Sequence, residues 1–136
     1  MIIGTGIDLV DSNRIQTLLD RHENRFFEKY FTANETKTIQ ALPKDIQVLS
    51  LAKRFAAKEA CAKALGTGFR NGIVMRDMEI SNDALGKPIM TLSGGAQERL
   101  DKLAVASPMT VQKTIIHLSL TDEPPYAQAQ IIIEAL

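Results

Sequence analysis

A carboxylate and an ammonium lie four residues apart in the alanine-rich segment 54–68, at Glu59 and Lys63. On a helix of about 3.6 residues per turn, side chains at positions i and i+4 share one face. The ordinary interpretation is a surface salt bridge, worth a few tenths of a kcal/mol. That face also carries Phe55 and Ala52, which are core residue types, and the segment ends in Leu-Gly-Thr-Gly. Charges set in an apolar stripe usually have a partner or a ligand, which favours a functional interpretation.

A second carboxylate, Asp8, lies in segment 1–10, whose alternation fits a strand. Gly4 and Gly6 share a face with Asp8, and glycines in a strand indicate a bulge or the close approach of another group. If the fold brings Asp8 to Glu59, the two carboxylates would form an oxygen site that suits Mg²⁺ and a substrate phosphate. Lys63 would then neutralise phosphate charge during group transfer.

Helices are predicted through most of the first half of the chain. The first begins at Asp11 or Ser12, with Ser12 as its N-cap, and it is interrupted before its last turns. Its polar side carries three arginines: Arg14, Arg21 and Arg25. Thr32 and Glu35 form a capping box that begins a second helix, ending at about Leu42. A third helix, over residues 45–65, is long for this chain and must be a central packing element.

Paired strands are predicted in the second half. Segments MRDMEISND and GKPIMTLSG form a hairpin around a turn at 83–86, and a helix follows over 95–106. Residues 112–120 and 126–135 form a second hairpin split at 122–125. This order predicts a single α+β domain over residues 1–136, with a mainly antiparallel sheet packed against the long central helix.

Composition narrows the classes of partner. Sixteen basic and sixteen acidic residues cancel, so we expect neither nucleic acid nor a membrane as partner. The single cysteine, Cys61, and the lack of a leader pattern or long apolar run predict a reduced, cytoplasmic protein. Cys61 is interpreted as a small core residue. A lone histidine on a predicted strand, His117, is by itself more often structural than catalytic.

Four segments together closely resemble the holo-acyl-carrier-protein synthases, the small 4′-phosphopantetheinyl transferases. They are GIDLV at 6–10, RFAAKEACAKA at 54–64, GTG at 66–68 and GKP at 86–88. The resemblance spans nearly the whole chain. It implies the 4′-phosphopantetheinyl transferase fold and a place in fatty acid biosynthesis. The implied reaction moves the phosphopantetheine arm of coenzyme A to a serine of apo acyl carrier protein, releasing adenosine 3′,5′-bisphosphate.

The resemblance also implies roles for site residues. Asp8 and Glu59 would bind Mg²⁺, which also holds the pyrophosphate of coenzyme A, and Lys63 would contact the phosphate and assist transfer. The strand histidine, His117, matches a family position near the nucleotide phosphates. The glycines of the turn formed by Gly66, Thr67 and Gly68 independently favour close approach of the coenzyme phosphate or nucleotide to the backbone. Glu59 is also a candidate for the base that removes the serine proton.

Partners follow from the same resemblance. The first helix would dock acyl carrier protein through Arg14, Arg21 and Arg25, while Leu18 and Phe26 fill an apolar patch. Without the resemblance, those arginines would be interpreted as a solvated face. The family also implies a homotrimer with active sites at subunit interfaces.

Two other classes of function stay open from the residues alone. One is a different Mg²⁺-dependent phosphoryl or nucleotidyl transferase that uses Asp8, Glu59 and Lys63. The other is a noncatalytic module whose basic first helix docks an acidic partner.

Overall fold

The computed structural model describes all 136 residues, and the predicted α+β class is confirmed. The elements in chain order are β1 (Ile2–Asp11), α1 (Ser12–Tyr30), α2 (Ala33–Gln40), α3 (Lys44–Ala64), β2 (Met78–Asn82), β3 (Pro88–Leu92), α4 (Gly94–Val105), β4 (Thr114–Glu123) and β5 (Tyr126–Ala135). A short 3₁₀ turn, Met75–Asp77, precedes β2. None of the helices is both long and apolar enough to cross a membrane.

Two antiparallel sheets organise the strands. The larger has the order β1-β5-β4, and β2 with β3 forms a separate hairpin. One face of the larger sheet packs against α3, where alternate β5 residues, among them Ile131 and Ile133, are fully buried. The alanine side chains of α3 are short, so the sheet packs close to the helix backbone. The predicted packing of an antiparallel sheet on a long central helix is therefore confirmed.

The glycines of β1 mark the point where its backbone meets the backbone of α3. A Cβ added to Gly6 would overlap the Ala60 carbonyl oxygen and lie 2.8 Å from the Ala64 nitrogen. One at Gly4 would overlap the Ala64 carbonyl oxygen. The sequence predicted either a bulge or the close approach of another group at these glycines. The structure shows close approach at both positions.

The ends of several elements differ from the sequence prediction. Asp11, not Ser12, caps α1, because the Asp11 carboxylate accepts a hydrogen bond from Asn13 N at 2.9 Å. The predicted interruption of α1 is a kink at His22, whose backbone is non-helical. The capping box of Thr32 and Glu35 is present, but α2 ends two residues before Leu42.

The last hairpin is longer than predicted. β4 continues to Glu123, so the turn before Tyr126 consists of two prolines only. The β-branched run of β4 outweighs the weak strand propensity of its two acidic residues because every position pairs with β5.

Candidate active site

β1 and α3 bring the three predicted polar residues to one place. Lys63 Nζ donates to Asp8 Oδ1 at 3.0 Å and to the Ile7 carbonyl oxygen at 2.9 Å. The i+4 salt bridge between Glu59 and Lys63, which the helix alone predicts, is absent from the ion pairs of the structure. Lys63 instead bridges the helix to the strand. The glycine contacts described above make this possible, because they put the two backbones close enough for a lysine to span them.

Glu59 lies half-buried on the same helix, one turn before Lys63. Burial raises the pKa of the Glu59 carboxyl, and the negative charge of Asp8 raises this pKa further. The positive charges of Arg14 and Lys63 act in the opposite direction. The two carboxylates are therefore electrostatically coupled, an arrangement that a bound cation would relieve.

The raised pKa of Glu59 predicts a measurable effect on stability. A carboxyl whose pKa is higher when folded stabilises the fold at low pH, and this contribution is lost as pH rises through the folded pKa. Glu59→Gln should therefore raise the Tm of the metal-free protein by a few degrees at pH 7.5. The gain should shrink as the pH falls towards the ordinary value of 4.5.

Thermal melts in a metal chelator at several pH values would measure this difference. Glu98→Gln is the matched control, because Glu98 is exposed on α4 and should leave the Tm unchanged. A Glu59→Gln protein that melts at or below the wild-type temperature at pH 7.5 would contradict a raised pKa for Glu59.

A largely apolar cleft of about 360 Å³ opens beside Glu59. Its lining residues come from α1, α3 and the segment before β2: Arg14, Lys29, Tyr30, Phe55, Glu59, Phe69, Ile73, Val74 and Met75. The Arg14 guanidinium lies 5.5 Å from the centre of the Phe55 ring, so this arginine forms part of the cleft wall. Glu59 thus lines a space that a substrate side chain can enter.

The glycine turn follows directly after α3. Gly66 and Gly68 have φ angles of +82° and +63°, which L side chains rarely adopt. Around Gly68, no atom lies within 4 Å of the position that a Cβ would take. Arg99 of α4 supports the turn, because its Nε donates to the Leu65 carbonyl oxygen at 2.9 Å. The backbone of the turn, including Thr67, is therefore held in shape and open on one side.

His117 lies away from this site within the chain. On β4 it points to the opposite sheet face from Leu118, which packs towards α3, and β4 is separated from β1 by β5. Its Nε2 atom lies 2.8 Å from Glu134 Oε2. A single chain therefore does not bring His117 to Asp8.

The proposed docking residues of α1 divide into two groups. Arg14, Arg21 and Arg25 are exposed, whereas Phe26 is only 2% exposed and belongs to the core. Phe26 therefore offers little surface of its own, and its part in docking stays a prediction. Phe26 forms the floor of a shallow groove that Leu18 and Arg25 also line.

The carboxylates of the site suit one class of metal ion. No cluster of three or more His, Cys, Asp or Glu side chains occurs, so the chain offers no complete cage for an ion. Asp8 and Glu59 provide two carboxylates, which is the number that Mg²⁺ typically takes from protein when substrate phosphate completes its coordination. The residues therefore fit a magnesium ion that binds together with its substrate.

Two carboxylates and a lysine on facing elements beside an open turn have the chemistry to hold a metal-bound phosphate for group transfer. The chain belongs to the 4′-phosphopantetheinyl transferase superfamily, whose family model matches residues 4–117. It is 53% identical over 136 residues to a holo-[acyl-carrier-protein] synthase of Phenylobacterium zucineum, covering 100% of this chain and 94% of that protein.

Solved structures of similar proteins have the same fold. The crystal structure of holo-[acyl-carrier-protein] synthase from Neisseria meningitidis matches with a TM-score of 0.81 and 36% identity, over 98% of this chain and 99% of that one. A holo-(acyl-carrier-protein) synthase from Bacillus anthracis, solved in complex with CoA (3′,5′-ADP), matches with a TM-score of 0.79 and 34% identity. That match covers 100% of this chain and 99% of the other.

Proposed function

We propose that this protein transfers 4′-phosphopantetheine from coenzyme A to a serine of apo acyl carrier protein. The products are holo acyl carrier protein and adenosine 3′,5′-bisphosphate. The observation that carries the proposal is the convergence of Asp8, Glu59 and Lys63 beside an open cleft, in a chain whose full-length relatives are named holo-[acyl-carrier-protein] synthases.

The proposed roles follow from the chemistry of each side chain. Asp8 and Glu59 would hold Mg²⁺, which supplies charge neutralisation at the pyrophosphate when it is bound. Lys63 would exchange its contact with Asp8 for one with a phosphate oxygen, since its side chain is largely exposed and able to move. Glu59, whose pKa is raised by burial, is the candidate for accepting the serine proton.

Coenzyme A is proposed to bind beside the turn of Gly66, Thr67 and Gly68. Positive φ angles at both glycines and free space at Gly68 allow a phosphate or nucleotide to approach the backbone closely. The turn begins three residues after Lys63 of α3, so one end of that helix would present both the lysine and the turn to the same donor.

A homotrimer is proposed because it would complete the site. The sheet face away from α3 is uncovered in the single chain and exposes apolar side chains, with Ile7 52% and Leu9 61% exposed. Exposed apolar faces of this kind mark protein interfaces. Within one chain, His117 lies away from the site. A neighbouring subunit packed near this face would bring its own His117 towards the coenzyme. Fatty acid biosynthesis in the cytoplasm is the proposed setting.

Mass spectrometry of the carrier tests the proposed activity directly. Purified protein, coenzyme A, Mg²⁺ and a cognate apo acyl carrier protein should give a carrier whose mass has increased by one phosphopantetheine group. The same mixture with a metal chelator should give no increase. A carrier unchanged in all mixtures would refute the transferase proposal and would favour a docking module, whereas transfer of a different phosphate group would favour another transferase.

The carrier-docking role of α1 predicts a selective kinetic effect. Arg21→Glu should raise the KM for acyl carrier protein about tenfold and leave the KM for coenzyme A nearly unchanged, because a reversed charge would repel an acidic carrier. Arg21 is a cleaner choice than Arg14, which also stacks on Phe55.

The control for this experiment is Lys102→Glu, which makes the same charge change on the exposed surface of α4. It should leave both KM values unchanged. Equal increases in the two KM values for Arg21→Glu would argue against direct contact between α1 and the carrier.

A further inference from the structure

Lys58 precedes Glu59 in the sequence but points the opposite way, into the protein interior. Its side chain is 0% exposed, and that of its ion-pair partner Glu35 is also 0% exposed. Lys58 Nζ donates to Glu35 Oε1 at 2.6 Å, to the Tyr30 carbonyl oxygen at 2.7 Å and to the Met75 carbonyl oxygen at 3.1 Å. An ammonium has three donors, so every hydrogen bond that Lys58 can make is made.

Glu35 connects the ammonium to two further elements. Its Oε1 atom accepts from Thr32 N at 3.1 Å, as part of the capping box of α2, and its Oε2 atom accepts from Ile80 N at 3.3 Å. The pair therefore joins α3 to the end of α1, the start of α2, the turn before β2, and β2 itself.

Two of these contacts act on the cleft beside Glu59. Tyr30 and Met75 supply the carbonyl groups that Lys58 binds, and the same two residues line the cleft together with Glu59. Tyr30 is the last residue of α1, and Met75 begins the 3₁₀ turn. The ammonium thus ties two parts of the cleft wall, the end of α1 and the 3₁₀ turn, to α3.

Stability alone does not account for a buried pair of this kind. Replacing a buried ion pair by apolar residues of similar volume is often neutral or stabilising, because both charges lose their hydration on burial. The pair at Lys58 differs from a simple ion pair in that two of its three hydrogen bonds go to backbone groups of the cleft.

We propose that Lys58 is a positioning residue, which sets the cleft wall formed by Tyr30 and Met75 in the shape that binds the carrier segment bearing the serine beside Glu59. This inference rests on the proposed docking of the carrier along α1, whose last residue is Tyr30. Lys58 touches neither substrate, since it is fully buried. Its loss should therefore weaken binding of the carrier and leave the coenzyme site intact.

The test is the double variant Lys58→Met with Glu35→Gln, which removes both charges and keeps a group able to cap α2. We expect a folded protein whose KM for acyl carrier protein rises about tenfold, with the KM for coenzyme A within about twofold of wild type. Lys53→Met is the control, because Lys53 lies on the same helix but pairs with Asp122 of β4. It should leave both KM values unchanged.

The kinetic pattern separates positioning from a purely structural role. Loss of folded protein would lower kcat and leave both KM values unchanged, so that result, or wild-type kinetics, would overturn the proposal. If the double variant does not fold, Lys58→Arg is the second test, because it keeps the positive charge beside Glu35 but replaces the single ammonium that binds both carbonyl groups. Its KM for the carrier should rise at least about threefold with the KM for coenzyme A unchanged, and a wild-type carrier KM would overturn the proposal. Failure of the wild-type protein to modify any carrier would refute the proposed function instead.

Discussion

Asp8→Asn and Glu59→Gln should each reduce phosphopantetheine transfer by about three orders of magnitude. Each change removes one of two carboxylates that the chain offers to a magnesium ion, and the donor set has no third carboxylate nearby to replace it. Loss of Glu59 also removes the candidate base. The effect should appear in kcat, because charge neutralisation and proton transfer act on the reacting phosphate and serine rather than on the docking of the carrier.

Initial rates measured over a range of Mg²⁺ concentrations would check this result. Circular dichroism should show both variants to be folded, and Asp101→Asn on the exposed surface of α4 should have wild-type activity. Full activity in Glu59→Gln would remove Glu59 from the site. Activity in Asp8→Asn that recovers at high Mg²⁺ would assign Asp8 to metal affinity rather than to the chemical step.

Gly6→Ala should be the most destabilising small substitution on β1. The added methyl group would overlap the Ala60 carbonyl oxygen and lie 2.9 Å from the Ala60 carbonyl carbon, and both are backbone atoms that cannot turn aside. Helix and strand must therefore separate, at a cost of about 3 kcal/mol or more. For a domain of this size, this corresponds to a fall in Tm of about 10 °C.

Thermal melts followed by circular dichroism would measure the change. Thr91→Ala is the control, because Thr91 is exposed on β3 of the separate hairpin, away from the contact between β1 and α3. It should change the Tm by no more than about 2 °C. A Gly6→Ala protein as stable as wild type would contradict the close packing of β1 on α3. Any folded Gly6→Ala protein should also lose activity, since separation of the elements moves Asp8 away from Lys63.

The local features of the fold were predictable because their signals are local. The capping box at Thr32 depends only on residues three apart, and the hairpin at 83–86 depends on turn residues between short strands. The residue that caps the N-terminus of α1 was harder to predict. Asp11 and Ser12 are both good caps, and the strand that precedes them fixes which one adopts the extended backbone.

The contacts of the site needed the tertiary structure. Helix spacing pairs Lys63 with Glu59, but the lysine contacts Asp8, because the glycines of β1 bring the strand within its reach. The buried pair of Lys58 and Glu35 was missed for a similar reason. Glu35 was already explained as a cap, and only the fold shows that its second oxygen and Lys58 meet in the interior.

The contact between β1 and α3 has a consequence for changing the specificity of this protein. Asp8 and Lys63 are held in relation to each other by main-chain atoms of Gly6, Ala60 and Ala64, not by interchangeable side chains. Arg21 and Arg25 lie on the exposed surface of α1 and outside the cleft beside Glu59. Directed evolution could therefore redesign the surface around these two arginines for other carrier proteins while the reaction centre keeps its geometry.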